Sequence, residues 1–139
     1  MLSSCSQLWP DTPLDIPIRF EDGFSVTHEF TTRRAKRYEL IVAFHKHTWI
    51  KTTGQEPDEF AVEFRITSNG ATIVEGTNDS NARRPASLSA NYTARYLAVF
   101  PAQPQQTFQL SFRVVHAAAG LSSTKPVVMI SEKTYPPGE

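Results

Sequence analysis

A chain of 139 residues and 15.6 kDa has room for one hydrophobic core of ordinary size, which excludes a second catalytic domain. Leu, Ile, Val and Phe supply 33 residues, about a quarter of the chain, enough apolar surface to exclude disorder throughout. Fourteen basic residues balance fourteen acidic ones and the pI is about 6.9, so there is no global positive field to hold a nucleic acid.

Val, Ile, Thr, Phe, Tyr and Trp make up 45 residues, a composition suited to pleated, half-buried surfaces. Residues 1–13, with Pro10 and Pro13, read as a short tether without structure of its own. Leu14, Ile16, Ile18 and Phe20 then alternate with polar positions, and Pro17 inside the run predicts an edge strand, because proline cannot donate to a ladder. Glu21-Asp22-Gly23 reads as a turn. Phe24, Val26, His28 and Phe30 form a second alternating run, which puts His28 on the apolar register as a core residue with a backbone partner. Tyr38, Leu40, Val42 and Phe44 alternate again. Here Ile41 and Ala43 make the opposite face apolar too, as in a central strand covered on both sides.

Residues 51–59 read as a polar connection. Phe60, Val62, Phe64 and Ile66 lead into Asn69-Gly70, a pair that tolerates positive φ and suits a tight hairpin, with Thr72 to Glu75 returning. The Asn-, Ser-, Arg- and Pro-rich stretch 76–90 reads as the longest loop, with a single helical turn near Ala86 to Ala90. A strand near Tyr96 to Phe100 is expected to stop at Pro101, Phe108 to Val114 alternates once more, and Val127 to Ile130 is the last strand. The expectation is an all-β, single-domain antiparallel β-sandwich or jelly roll of about eight short strands over residues 14–131, with a frayed tail at 132–139.

One cysteine, Cys5, rules out an intramolecular disulfide. Leu2-Ser3-Ser4-Cys5 resembles the lipobox of bacterial lipoproteins, in which a branched apolar residue and two small residues precede the cysteine that is acylated. The resemblance implies lipidation of Cys5, with the charged and apolar leader lying upstream of these 139 residues. Ser6, where many enteric inner-membrane lipoproteins carry Asp, implies the bacterial periplasm with an outer-membrane anchor; the lipid would be the only membrane contact. The pattern continues as Leu-x-Ile-x-Ile-x-Phe, Phe-Ser-Val-x-x-x-Phe, Tyr-x-Leu-x-x-x-Phe and Phe-x-Leu-x-Phe-x-Val (Phe108 to Val114). Over residues 5–131 the chain is thus similar to a family of small, uncharacterised proteobacterial periplasmic lipoproteins. Such proteins are often β-sandwiches without an assigned reaction, and some of similar build are immunity proteins that neutralise a secreted antibacterial toxin.

No signature of catalysis emerges. There is no Gly-x-Ser-x-Gly elbow and no phosphate-binding glycine loop, and Glu56, Asp58 and Glu59 are adjacent on one connection rather than facing across a cleft. A non-enzyme without cofactor is expected. His45 and His47, two apart, project from one strand face in the manner of a metal-ligand pair, but no third ligand is identifiable and no metal is assigned. Trp49 shares that register and suits a partner contact or a sugar-stacking platform, as does Tyr92. Arg33, Arg34, Lys36 and Arg37 place four cations in five residues, either a solvated loop tip or a surface for anionic lipid, nucleic acid or an acidic protein partner. The candidate partner-binding set is therefore Arg33, Arg34, Lys36, Arg37, His45, His47 and Trp49. The expected role is binding a protein, most concretely a toxin; a carbohydrate- or peptidoglycan-binding module is the alternative.

Overall fold

In the computed structural model, which describes residues 10–45, 60–77, 85–87, 92–117 and 125–133, the alternating runs become nine strands among those residues, with no helix. They are β1 (Leu14–Pro17), β2 (Ser25–Thr32), β3 (Lys36–His45), β4 (Phe60–Ser68), β5 (Ala71–Thr77), β6 (Pro85–Ser87), β7 (Tyr92–Ala102), β8 (Gln106–Ala117) and β9 (Val127–Glu132). One sheet runs β1-β9-β3-β7-β6 and the other β2-β8-β4-β5, and every pairing is antiparallel. Four-strand sheets ordered β1-β9-β3-β7 and β2-β8-β4-β5 are the two halves of a jelly roll, to which β6 adds a short edge. The protein is an all-β, single-domain antiparallel sandwich.

Period-two patterning turns one face of each sheet inward, and the core is the product. Leu40, Val42, Val62, Ile66, Leu110, Val114, Val128 and Ile130 are fully buried between the sheets. Aromatic rings close both ends of this layer. Phe20, Phe44 and Phe60 form one trio with centroids 5.1–5.6 Å apart; Phe30, Phe100 and Phe108 form the other, joined by Tyr38 at 6.2 Å from Phe100. β3 is central, between β9 and β7, and is buried on both faces: Ile41 and Ala43 pack with Ala94, Tyr96, Val127 and Met129 on the outer side. Asn69 (φ 53°) and Gly70 (φ 80°) make the tight β4–β5 turn.

Several expectations are corrected. β1 ends at Pro17, although Ile18 and Phe20 still reach the core. Residues 85–87 form a strand against β7 rather than a helical turn, and 88–90 lie outside the described residues. β7 starts at Tyr92 and continues through Pro101. β6 flanks it only at Thr93 to Arg95, so among the described residues no strand pairs with that side of β7 at Pro101 and the missing N–H breaks no ladder there. A bulge opposite Leu40 and Ile41 makes Leu97 an extra residue in the register of β7, and both Leu97 and Ala98 face the core, which disrupts the alternation there. His28 is exposed rather than buried: β2 is an edge strand, so the inner register alone does not cover it. Its Nδ1 lies 3.2 Å from the Glu29 carbonyl.

The folded body also extends past the expected 14–131. Asp11, expected in the tether, is 6% exposed, and Glu132, expected in the tail, ends β9 at 9%. The Asp11 carbonyl accepts a bond from Glu132 N–H at 2.8 Å, so the lead continues the β1–β9 pairing outward.

Candidate functional site

The strands fix two ends. β3 runs away from the β2–β3 turn, and β7 and β9 run back toward it, so the lead at Asp11, the turn at 33–35, the β4–β5 turn and the β7–β8 turn share one end. The chain leaves β3 at His45 and enters β4 at Phe60, leaves β5 at Thr77, enters β7 at Tyr92, leaves β8 at Ala117 and enters β9 at Val127, all at the other end. The ten residues of β3 separate the two ends by about 30 Å.

The first end is held by a polar knot. The Asp11 carboxylate accepts from the Arg33 backbone N–H at 2.9 Å, from Arg33 Nε at 3.1 Å and from the Tyr38 hydroxyl at 2.7 Å. Tyr38 in turn accepts from the Arg34 N–H at 3.3 Å. Glu132 Oε1 accepts from the Asp11 N–H at 3.1 Å and pairs with Arg34 Nη1 at 2.8 Å. Lys133 lies 3.9 Å from Glu39, and its N–H bonds the Arg37 carbonyl at 2.8 Å. Buried carboxylates are tolerated here because each meets cations and N–H donors. Burial pushes the Tyr38 hydroxyl up to about 12, helped by its hydrogen bond to Asp11, which favours the protonated phenol.

The four basic residues predicted to meet a partner therefore divide. Arg33 is about half exposed while paired to Asp11, and Arg34 is mostly covered against Glu132. Lys36 and Arg37 are exposed, and among the described residues neither has a carboxylate partner. His45 ends β3 at the opposite end, so the structure does not bring it together with the basic turn. His47, Trp49 and Cys5 lie outside the described residues. Among the described residues no group of three or more His, Cys, Asp or Glu side chains is placed to hold a metal ion.

A second feature was not singled out from the sequence. The outer face of the β2-β8-β4-β5 sheet holds a groove of about 530 Å³. Two cross-strand rows floor it. Ser25, Arg113, Glu63 and Thr77 make one, and Thr27, Ser111, Arg65 and Glu75 the other. Arg113 pairs with Glu63 at 2.9 Å and Arg65 with Glu75 at 2.9 Å, all four side chains more than half exposed. The first row thus sets its ion pair between two rim hydroxyls, and the second sets two hydroxyls beside an ion pair that reaches the β5 rim. Alternation marks these residues as outward, but nothing local says that β8 lies between β2 and β4.

No family model and no curated protein matches this sequence. Among solved structures, the chain is similar to a crystal structure of a protein from Sulfurospirillum deleyianum, with a TM-score of 0.65 and 14% identity over 90% of this chain and 99% of that one. That likeness carries the fold alone. A surface-associated copper-binding protein of Methylomicrobium album matches at TM-score 0.43 and 9% identity, covering 90% of this chain and 93% of that one. A carbohydrate-binding module with specific mannan recognition matches at 0.44 and 8%, covering 88% and 74%. At these scores neither bears on function.

Proposed function

We propose that the protein is a non-catalytic lipoprotein of the bacterial periplasm, anchored to the outer membrane through lipidated Cys5, that binds a protein partner at the end of the sandwich remote from the anchor. The observation that supports this most is the polarity of the fold. Asp11 ties the lead to the end with short turns, while the long connections leave and re-enter at the other. Loops borne on a rigid sandwich are where such domains carry recognition. His47 and Trp49 belong to the connection between His45 and Phe60, which places them in the stretch that starts and finishes at the remote end.

The finer reading is an immunity protein whose partner is a secreted antibacterial toxin. Co-expression with the toxin encoded in a neighbouring reading frame should rescue growth and give a stoichiometric complex. Trp49→Ala or His47→Ala should weaken that complex at least tenfold, while Lys36→Glu leaves it unchanged. Absence of both rescue and complex overturns the toxin reading, and weakening by Lys36→Glu alone overturns the choice of end.

The groove favours a second reading, a carbohydrate- or peptidoglycan-binding module, because its hydroxyls and exposed ion pairs offer donors and acceptors to a polar chain laid across the strands. Retention on purified cell wall that is lost in Glu63→Ala/Arg113→Ala but kept in Trp49→Ala supports it. Failure to be retained on cell wall rejects it.

A further inference from the structure

The knot around Asp11 has a geometric corollary that bears on the lead itself. Six positions separate Cys5 from Asp11, so a group fixed to the Cys5 sulfur lies within about 25 Å of Asp11 whatever path the chain takes between them. Among the described residues, the end of the sandwich held by that knot is also rich in cations. It carries Arg33, Arg34, Lys36, Arg37 and Lys133 against Asp11, Glu132 and Glu39, which Arg33, Arg34 and Lys133 engage, and against the exposed Glu29 on β2. The surplus is Lys36 and Arg37, both exposed, with the half-exposed Arg33 beside them, in a chain whose formal net charge is zero.

We propose that this end is a docking surface for anionic phospholipid headgroups, with Arg33, Lys36 and Arg37 resting on the membrane to which Cys5 is tied. The proposal builds on the lipid-anchor reading above. Lys36 and Arg37 are adjacent on β3, and Arg33 lies just across the turn, so the three charges sit within a few residues of one another at the tip of the body. A cation close to an anionic bilayer favours contact by about 1 kcal/mol, or about fivefold, and the field fades within a Debye length of about 8 Å. Three such residues could not recruit a free protein, but the anchor supplies proximity, so they need only choose which surface faces down. The remote end would then stand about 30 Å above the membrane.

Cys5 is the sole cysteine, so the full chain can be coupled through it to maleimide lipid in vesicles, which imposes the anchor without relying on acylation in cells. The probe is lysine acetylation read by mass spectrometry, comparing Lys36 with the exposed Lys125 at the remote end. On phosphatidylcholine vesicles containing about 30 mol% phosphatidylglycerol, Lys36 should react at least fivefold more slowly than on phosphatidylcholine alone, with Lys125 unchanged. Arg37→Glu should reduce that protection to less than twofold, and raising the salt should do the same. Equal Lys36 rates on the two vesicles, or equal slowing of Lys125, overturns the proposal. An unmodified Cys5 thiol in protein recovered from cells would overturn the anchor reading instead, leaving the vesicle result to stand by itself.

Discussion

Replacing Asp11 by Ala should cost far more stability than a residue beside a supposed tether has any reason to. The substitution strips the acceptor from the buried Tyr38 hydroxyl and from the Arg33 backbone N–H, and each bond to a charged acceptor contributes about 1.5–3 kcal/mol. The Arg33 Nε contact adds less than about 1 kcal/mol, because that side chain is about half exposed and screened by water. The loss should be about 3–5 kcal/mol, a large fraction of the 5–15 kcal/mol typical of a folded domain. With a urea slope of about 2 kcal/mol/M, the midpoint should fall by about 1.5–2.5 M. Tyr38→Phe alone should cost about 1–2 kcal/mol. In the double variant no hydroxyl is left stranded, so its loss should be smaller than the sum of the two single losses by at least about 1 kcal/mol. A fall of less than about 0.5 M for Asp11→Ala, or strict additivity, would show that the lead is not held by this knot.

Alkaline unfolding offers an independent check on the same group. The Tyr38 phenol is held up to about 12 in the fold against an ordinary 10, so between those values the unfolded chain has released a proton that the native state keeps. Stability should therefore be intact below pH 10 and fall by about 2–3 kcal/mol toward pH 12, and Tyr38→Phe should remove that part of the slope. Gly70→Ala should destabilise by about 1–2 kcal/mol in thermal or urea unfolding, since φ at 80° is strained for any side chain even though a Cβ there meets open space. A double-mutant cycle between Glu63 and Arg113 should give a coupling below about 1 kcal/mol, as expected for a pair exposed to water on both sides, which leaves both groups free to re-pair with a ligand.

What was legible in the sequence followed from local physics. Leu40 to Phe44, apolar on both faces, announced a central strand, and β3 lies between β9 and β7. Asn69-Gly70 announced its turn, and Pro17 its edge strand. What stayed hidden depends on partners distant along the chain. Asp11 and Glu132 are 121 positions apart, and each looks, in its own neighbourhood, like a solvated residue near a terminus. The bulge at Leu97 breaks the alternation that would have traced β7 back to Tyr92. His28 has the register of a core residue, yet it is exposed because β2 is an edge strand, with no further strand beside it among the described residues. The basic run was visible, but not that Arg33 and Arg34 are engaged by carboxylates from the two ends of the chain.

The most direct measurement is the mass of the N-terminal peptide of the protein recovered from fractionated envelopes of its own host. The account predicts a peptide beginning at an acylated Cys5 in the outer-membrane fraction, and a shift to the soluble fraction on Cys5→Ser. An intact, unmodified thiol on a protein found free of membranes would contradict it.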